Sequence, residues 1–155
     1  MGDSKQFDEY TLSTDRSHLD IPYIHHYLSK HSYWAKGIDL ETVETSINHS
    51  LCFGVYRSGE DNNLKQQVGF ARIVTDYVTF AYLADVFIDE AHRGKGLSKW
   101  LLKEILDHPG LQRLRSFLLM TKDAQGLYEQ FGFKTFNNDE KRLMAIRQKA
   151  EELYT

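Results

Sequence analysis

The stretch Val86-Phe87-Ile88-Asp89-Glu90-Ala91-His92-Arg93-Gly94-Lys95-Gly96-Leu97-Ser98 limits what this chain can fold into more than any other segment does. In it an apolar strand passes through one loop into a glycine-flanked helix start. Without a Cβ, Gly94 and Gly96 let the backbone turn sharply and approach another group closely. The first N–H groups of a helix have no intrahelical partner, so several of them converging on one point form an anion cradle. Arg93 and Lys95 are expected to add positive charge beside it. The same residues also describe a plain tight turn between a strand and a helix.

The two common nucleotide loops do not fit. A dinucleotide turn needs a third glycine where Lys99 stands, and a P-loop needs four residues between its glycines followed by Lys-Ser or Lys-Thr. A chain of 155 residues is the size of one domain, expected over 1–155, and buries enough surface to hold a core without metal or disulfide. Charged residues make up 26% and the formal net charge is −3, which excludes a basic footprint for nucleic acid. No window approaches the ~18 consecutive apolar residues of a membrane helix. The expected partner is therefore small and soluble.

The start of the chain is polar and acidic, unlike a signal peptide, and the single Cys52 has no intrachain disulfide partner, so a reducing, cytoplasmic setting is expected. Cys52 lies in the apolar run Leu51-Cys52-Phe53-Gly54-Val55 and reads as core before it reads as a nucleophile. His25 and His26 are adjacent on a predicted helix and diverge by about 100°, so no metal site is expected with His31.

The element order reads as follows. Tyr10 to Ser13 is a short strand, and Ile21-Pro22 opens a helix to about Tyr33, with proline in the first turn. Asp39 stands three residues before Thr42 and caps a second helix to about Asn48. Strands follow over Leu51 to Arg57, Gln66 to Thr75 and Phe80 to Ile88, separated by polar turns. After Gly96, Leu97, Leu101 and Ile105 recur at helical spacing until Pro109-Gly110. Leu114 to Thr121 reads as a buried strand, and Asp123 to Phe131 as a helix closed by Gly132. Phe133 to Phe136 and Arg142 to Arg147 read as two final strands, and Gln148 to Tyr154 as a short helix or a frayed tail.

Two separated motifs carry a family resemblance. Asp85-Val86-Phe87-Ile88 leading to Arg93-Gly94-Lys95-Gly96-Leu97 resembles the acetyl-coenzyme A loop of the GNAT superfamily of N-acetyltransferases. Thr121-Lys122-Asp123-Ala124-Gln125-Gly126-Leu127-Tyr128-Glu129-Gln130-Phe131-Gly132-Phe133 resembles the family's N-A-x-x-L-Y-x-x-x-G-F, with Asp123 in place of the common asparagine. The family's usual proline before the arginine loop is replaced by Ala91 or Glu90, and residues 1 to 65 match only in outline. The resemblance implies an α/β (α+β) fold with a central mixed, mostly antiparallel sheet of about six to seven strands, flanked by about four helices. Its parallel strands would splay at the cofactor site.

It also implies roles, residue by residue. Main-chain groups from Arg93, Gly94, Lys95, Gly96, Leu97 and Ser98 would hold the pyrophosphate of acetyl-coenzyme A. Val86, Phe87 and Ile88 would flank its pantetheine arm, which lies in the gap beside Phe117 to Met120. Asp85 would assist loss of the amine's proton, directly or through water, or hold the acceptor amine. A carboxylate paired structurally with a basic group is the alternative reading of the same residue. The N–H of Val86 or Phe87 would meet the developing oxyanion. Tyr128, a phenol protonated at neutral pH, would donate to the leaving thiolate, although such a tyrosine also fits a plain core position.

For the acceptor, Tyr23, Trp34, Asp76, Phe80 and Tyr82, with His26, Tyr27, Tyr33 and Tyr77, offer aromatic walls and a carboxylate for a small-molecule primary amine. Peptide or protein N-acetylation and a non-catalytic coenzyme-A-binding protein are the other two readings. A homodimer through the C-terminal strands is a candidate assembly for the family.

Overall fold

Alternation along three neighbouring strands decides the architecture. Cys52, Phe70 and Phe87 are buried with one cluster of apolar residues, whereas their neighbours Phe53, Ala71 and Ile88 are buried with another. Successive side chains of a strand point to opposite faces, so a sheet built this way needs cover on both sides. The computed structural model describes residues 4–61, 63–136 and 143–154, and supplies that cover with helices.

The sheet has six strands in chain order: β1 (Ser4–Phe7), β2 (Tyr10–Ser13), β3 (Leu51–Ser58), β4 (Leu64–Thr75), β5 (Phe80–Ile88) and β6 (Ser116–Leu119). All neighbours are antiparallel except β5 and β6, which run parallel. The helices α1 (Ile21–His31) and α2 (Leu40–Asn48) bury Ile24, Leu28, Val43 and Ile47 against Phe70 and Phe87. On the other face, α3 (Leu97–Leu106) buries Leu97, Leu101, Leu102 and Ile105 against Phe53, Ala71, Ile73 and Leu83. Two short helices, α4 (Gln125–Glu129) and α5 (Ala150–Leu153), complete the described elements.

The helix starts obey the expected chemistry. Asp20 caps α1 by accepting from the Tyr23 amide at 3.0 Å, with Pro22 in the first turn. Asp39 caps α2 by accepting from the Thr42 amide at 2.8 Å and from its hydroxyl. Gly132 closes the turn after α4 with φ +92°, as a residue ending a helix in the left-handed region does.

Three expectations need correction. Ser4–Phe7 is a strand that the sequence reading missed, because S-K-Q-F shows no apolar alternation; it is exposed at the sheet edge. Phe133 to Phe136 is irregular rather than extended into a strand. Of the predicted strand Arg142 to Arg147, residue 142 lies outside the described residues and 143–147 carry no regular structure.

Candidate active site

On β5 the inward positions change phase. Ala81 and Leu83 belong to the α3-side cluster, and the next residues on that side are Val86 and Ile88 rather than Asp85 and Phe87. A step of three inside a period of two marks a bulge. In the register, Ala84 faces Arg72 and Phe87 faces Phe70, so Asp85 and Val86 together oppose Ala71 alone. Asp85 makes the extra residue fit by adopting φ +54°, a left-handed conformation uncommon for a residue with a Cβ.

That conformation is held from both carboxylate oxygens. Arg72 Nε donates to Asp85 Oδ2 at 2.7 Å, and Trp34 Nε1 donates to Asp85 Oδ1 at 2.9 Å. The arginine is fixed in turn, since its guanidinium also donates to the Ser50 hydroxyl at 3.2 Å. The Arg72 and Asp85 side chains keep only 18% and 10% of their surface in water.

Beside the bulge the sheet opens. Pairing of β5 with β6 ends at Leu83 and Leu119, so Ala84 to Ile88 continue without a strand on that side. A cavity of about 370 Å³ begins there. The bulge residues Asp85 and Val86 form one side, Leu119 to Thr121 the other, and Tyr128 and the aromatic pair Tyr33 and Trp34 close over them. Burial pushes the Tyr128 phenol above its ordinary pKa, with the Tyr33 phenol adding to the shift, so it keeps its proton through neutral and mildly alkaline pH. Among the described residues its hydroxyl makes no hydrogen bond, which leaves the proton available to a ligand.

The glycine loop follows β5. Asp89 caps the single 3₁₀ turn Glu90–His92 and accepts from the Tyr23 hydroxyl at 3.2 Å. Gly94 and Gly96 then have φ +77° and +81°, and a Cβ built on either would meet nothing within 4 Å. Unlike α1 and α2, α3 has no side-chain cap: Gly96 occupies its N-cap. The result is an open concavity in front of a helix start, a shape that suits a phosphate group. The loop's cations do not line it as expected. Arg93 donates to the Ile88 carbonyl and to the Tyr27 hydroxyl, both at 3.0 Å, and Lys95 donates to the Tyr10 hydroxyl at 3.2 Å with Glu9 nearby at 3.8 Å. They fasten the loop to β5, α1 and β2.

A strand bulge, a splayed parallel pair, a glycine loop at a helix start and a half-buried tyrosine therefore stand in one region. The family profile described as "Acetyltransferase (GNAT) domain" matches residues 49–135, which span the bulge, the loop and Tyr128. The chain belongs to the GNAT acetyltransferase family. A Gibberella zeae protein named a putative acetyltransferase is 34% identical over 144 residues, covering 83% of this chain and 81% of its own length. A crystal structure from Xanthomonas campestris pv. campestris, described as an acetyltransferase of the GNAT family, is 46% identical with a TM-score of 0.83, over 94% of this chain and 96% of that one. A more distant fold relative, Rv2747 from Mycobacterium tuberculosis, was solved in complex with CoA; it is 15% identical with a TM-score of 0.62, over 81% of this chain and 72% of that one.

Within this GNAT acetyltransferase, the predicted site residues divide. Trp34, Tyr82, Asp85, Val86 and Tyr128 line the cavity, as does Tyr33. Three predicted acceptor contacts lie elsewhere. Tyr23 leans on Phe87 with ring centroids 5.9 Å apart and bonds Asp89. Asp76 organises the β4–β5 turn, where the Thr79 hydroxyl and the amides of Thr79, Val78 and Phe80 hold its carboxyl well below the usual carboxylate range. Phe80 starts β5, at the far end of the strand from the bulge. Phe87 is buried, stacked on Tyr27 with centroids 3.7 Å apart. Cys52 is also buried, and desolvation pushes its thiol up to about 11, which suits a core residue and not a nucleophile.

Arg72 was not foreseen. Its pairing with Asp85 depends on strand register, although the spacing Leu83 to Val86 already signals the bulge. Thr42, Ser46 and Tyr154 also reach the cavity from elements the sequence motifs do not cover.

Proposed function

We propose that the protein transfers an acetyl group from acetyl-coenzyme A to the primary amine of a small molecule, by direct attack with both substrates bound. One observation carries this reading: a single cavity touches the β5 bulge, the open end of β6, Tyr128 and an aromatic wall at the same time. Acetyl-coenzyme A would supply the activated thioester. The fit rests on residues of this chain, since the loop at Gly94 and Gly96 has room for phosphate and the splay leaves strand backbone free to pair with an extended arm.

In the reaction a C–N bond forms and the C–S bond breaks; the attacking amine gives up a proton to solvent water, and the sulfur takes one from Tyr128, whose phenol is reprotonated from solvent. The bulge puts one peptide unit of Asp85–Val86 outside the ladder, where an N–H serves charge developing on the acetyl oxygen. Tyr128 donates to the departing sulfur, because its phenol stays protonated while a free thiol ionises near 8.5. Asp85 has both oxygens engaged by Arg72 and Trp34, so its part is to hold the bulge and present negative charge near the amine.

Thermal melting with acetyl-coenzyme A tests the cofactor half of this reading. At 100 times the dissociation constant the wild type should gain about 2.7 kcal/mol, read as a rise in Tm, and Gly96→Glu should gain nothing. Tyr128→Phe should keep that rise and lose turnover in an amine screen. Equal turnover in Tyr128→Phe would remove the phenol from the mechanism, and no ligand-dependent rise in the wild type would refute the cofactor assignment.

A further inference from the structure

The segment that ends the described chain closes one side of the same cavity. Tyr154, following α5, lines it together with Ala35, Ile38, Thr42 and Ser46, and packs against the α1–α2 cluster. The segment beneath it is held by a set of hydrogen bonds. Ser32 donates to the Leu28 carbonyl at 2.6 Å, the Ala35 amide donates to the Ser32 hydroxyl at 3.1 Å, the Gly37 amide donates to the Ser29 carbonyl at 3.0 Å, and His25 bonds the Ile38 carbonyl at 3.0 Å.

Gly37 is matched to Tyr154. A Cβ at Gly37 would lie 2.7 Å from the Tyr154 carbonyl oxygen and 3.6 Å from its Cβ, and Gly37 has φ +83°. Only a glycine permits both that conformation and that approach. By contrast, Gly94 and Gly96 face open space, so Gly37 is shaped by a piece of this chain rather than by room for a ligand.

We infer that Tyr154, seated on Gly37, forms the acceptor-side wall of the cavity and restricts the acceptor to small amines by blocking the path an extended peptide would take. The inference rests on the acetyl-transfer reading above. With Tyr33, Trp34 and Tyr82 it completes an aromatic enclosure on residues from three separate segments, which suits a protonated amine carried on an apolar body. Asp123 and Asp85 add carboxylates to the same lining.

Steady-state kinetics on a panel of free amines and short peptides with free N-termini tests it, using wild type, Tyr154→Ala, Tyr154→Phe and Gly37→Ala. Tyr154→Ala should raise KM for the preferred amine by about fivefold to twentyfold, the scale of one lost aromatic contact, with KM for acetyl-coenzyme A unchanged. It should also admit bulkier amines or peptides that the wild type refuses. Tyr154→Phe should behave as wild type, and Gly37→Ala should imitate Tyr154→Ala because the added Cβ displaces the Tyr154 backbone. Free-amine turnover indifferent to Tyr154→Ala would overturn the wall and leave the acetyl-transfer reading standing. A wild type that acetylates peptides and no free amine would overturn the wall and the small-amine acceptor, with acetyl transfer itself standing.

Discussion

At the scale of single residues, the site depends on a conformation that its own side chain stabilises. Asp85 sits at positive φ, and its carboxylate is bound on one side by a guanidinium and on the other by an indole N–H. Removing one partner of a nearly buried ion pair strands the other, at a cost of about 2–3 kcal/mol or more. Arg72→Met is therefore expected to lower stability by that amount in urea denaturation and to reduce kcat. Asp85→Asn combined with Arg72→Met should cost less than the sum of the two single changes, as it does for groups acting as a pair. If Asp85 holds the bulge rather than removing the amine proton, the pH–rate profile of Asp85→Asn keeps the shape of the wild type at reduced height. Loss of the acid limb in that variant would restore the carboxylate as the base.

At the scale of elements, the glycine loop separates two roles that the letters R-G-K-G run together. The glycines and the uncapped start of α3 make the concavity, while Arg93 and Lys95 fasten it to the rest of the fold. Lys95→Ala is accordingly expected to change acetyl-coenzyme A affinity by no more than about threefold in calorimetric titration, the scale of an exposed charge. A loss beyond tenfold would mean that the ammonium turns back to the ligand. Legibility in the sequence followed the same division between local and long-range causes. The starts of α1 and α2 were readable because Pro22 suits a first turn and Asp39 caps three residues ahead of Thr42, both purely local devices. β1 was not, since a polar edge strand is defined by its neighbour β2 and not by its own pattern. Arg72 and Tyr154 escaped for the same reason: each acquires its role from a residue far along the chain. Asp76, read as an acceptor contact, is a turn residue because four short-range donors reach its carboxylate first.

At the scale of the whole molecule, buried acids that stay neutral set the response to pH. Desolvation raises the Cys52 thiol to about 11 and lifts the phenols of Tyr23, Tyr56 and Tyr128 above their ordinary value. The Tyr56 hydroxyl is buried with no hydrogen-bond partner among the described residues, so ionising it is doubly unfavourable. In the unfolded chain these groups release their protons near pH 8.5 for cysteine and 10 for tyrosine. Above those values the native state holds more protons than the unfolded one, so stability falls as pH rises. The Cys52 contribution is fully present below about pH 8.5 and is lost as pH climbs through about 11. Urea midpoints should thus decline from about pH 9 upward, and Cys52→Ala should flatten the first part of the decline; a midpoint constant to pH 10.5 would contradict the burial of these groups. The sheet order has a consequence of a different kind. β1 to β2 and β3 to β5 pair across turns, whereas β3 reaches β2 only after α1 and α2, and β6 reaches β5 only after the chain has crossed through α3. β6 is held along one edge only, by the four residue pairs from Phe80–Ser116 to Leu83–Leu119, so the candidate site opens at the join where the sheet can widen with the least pairing to give up.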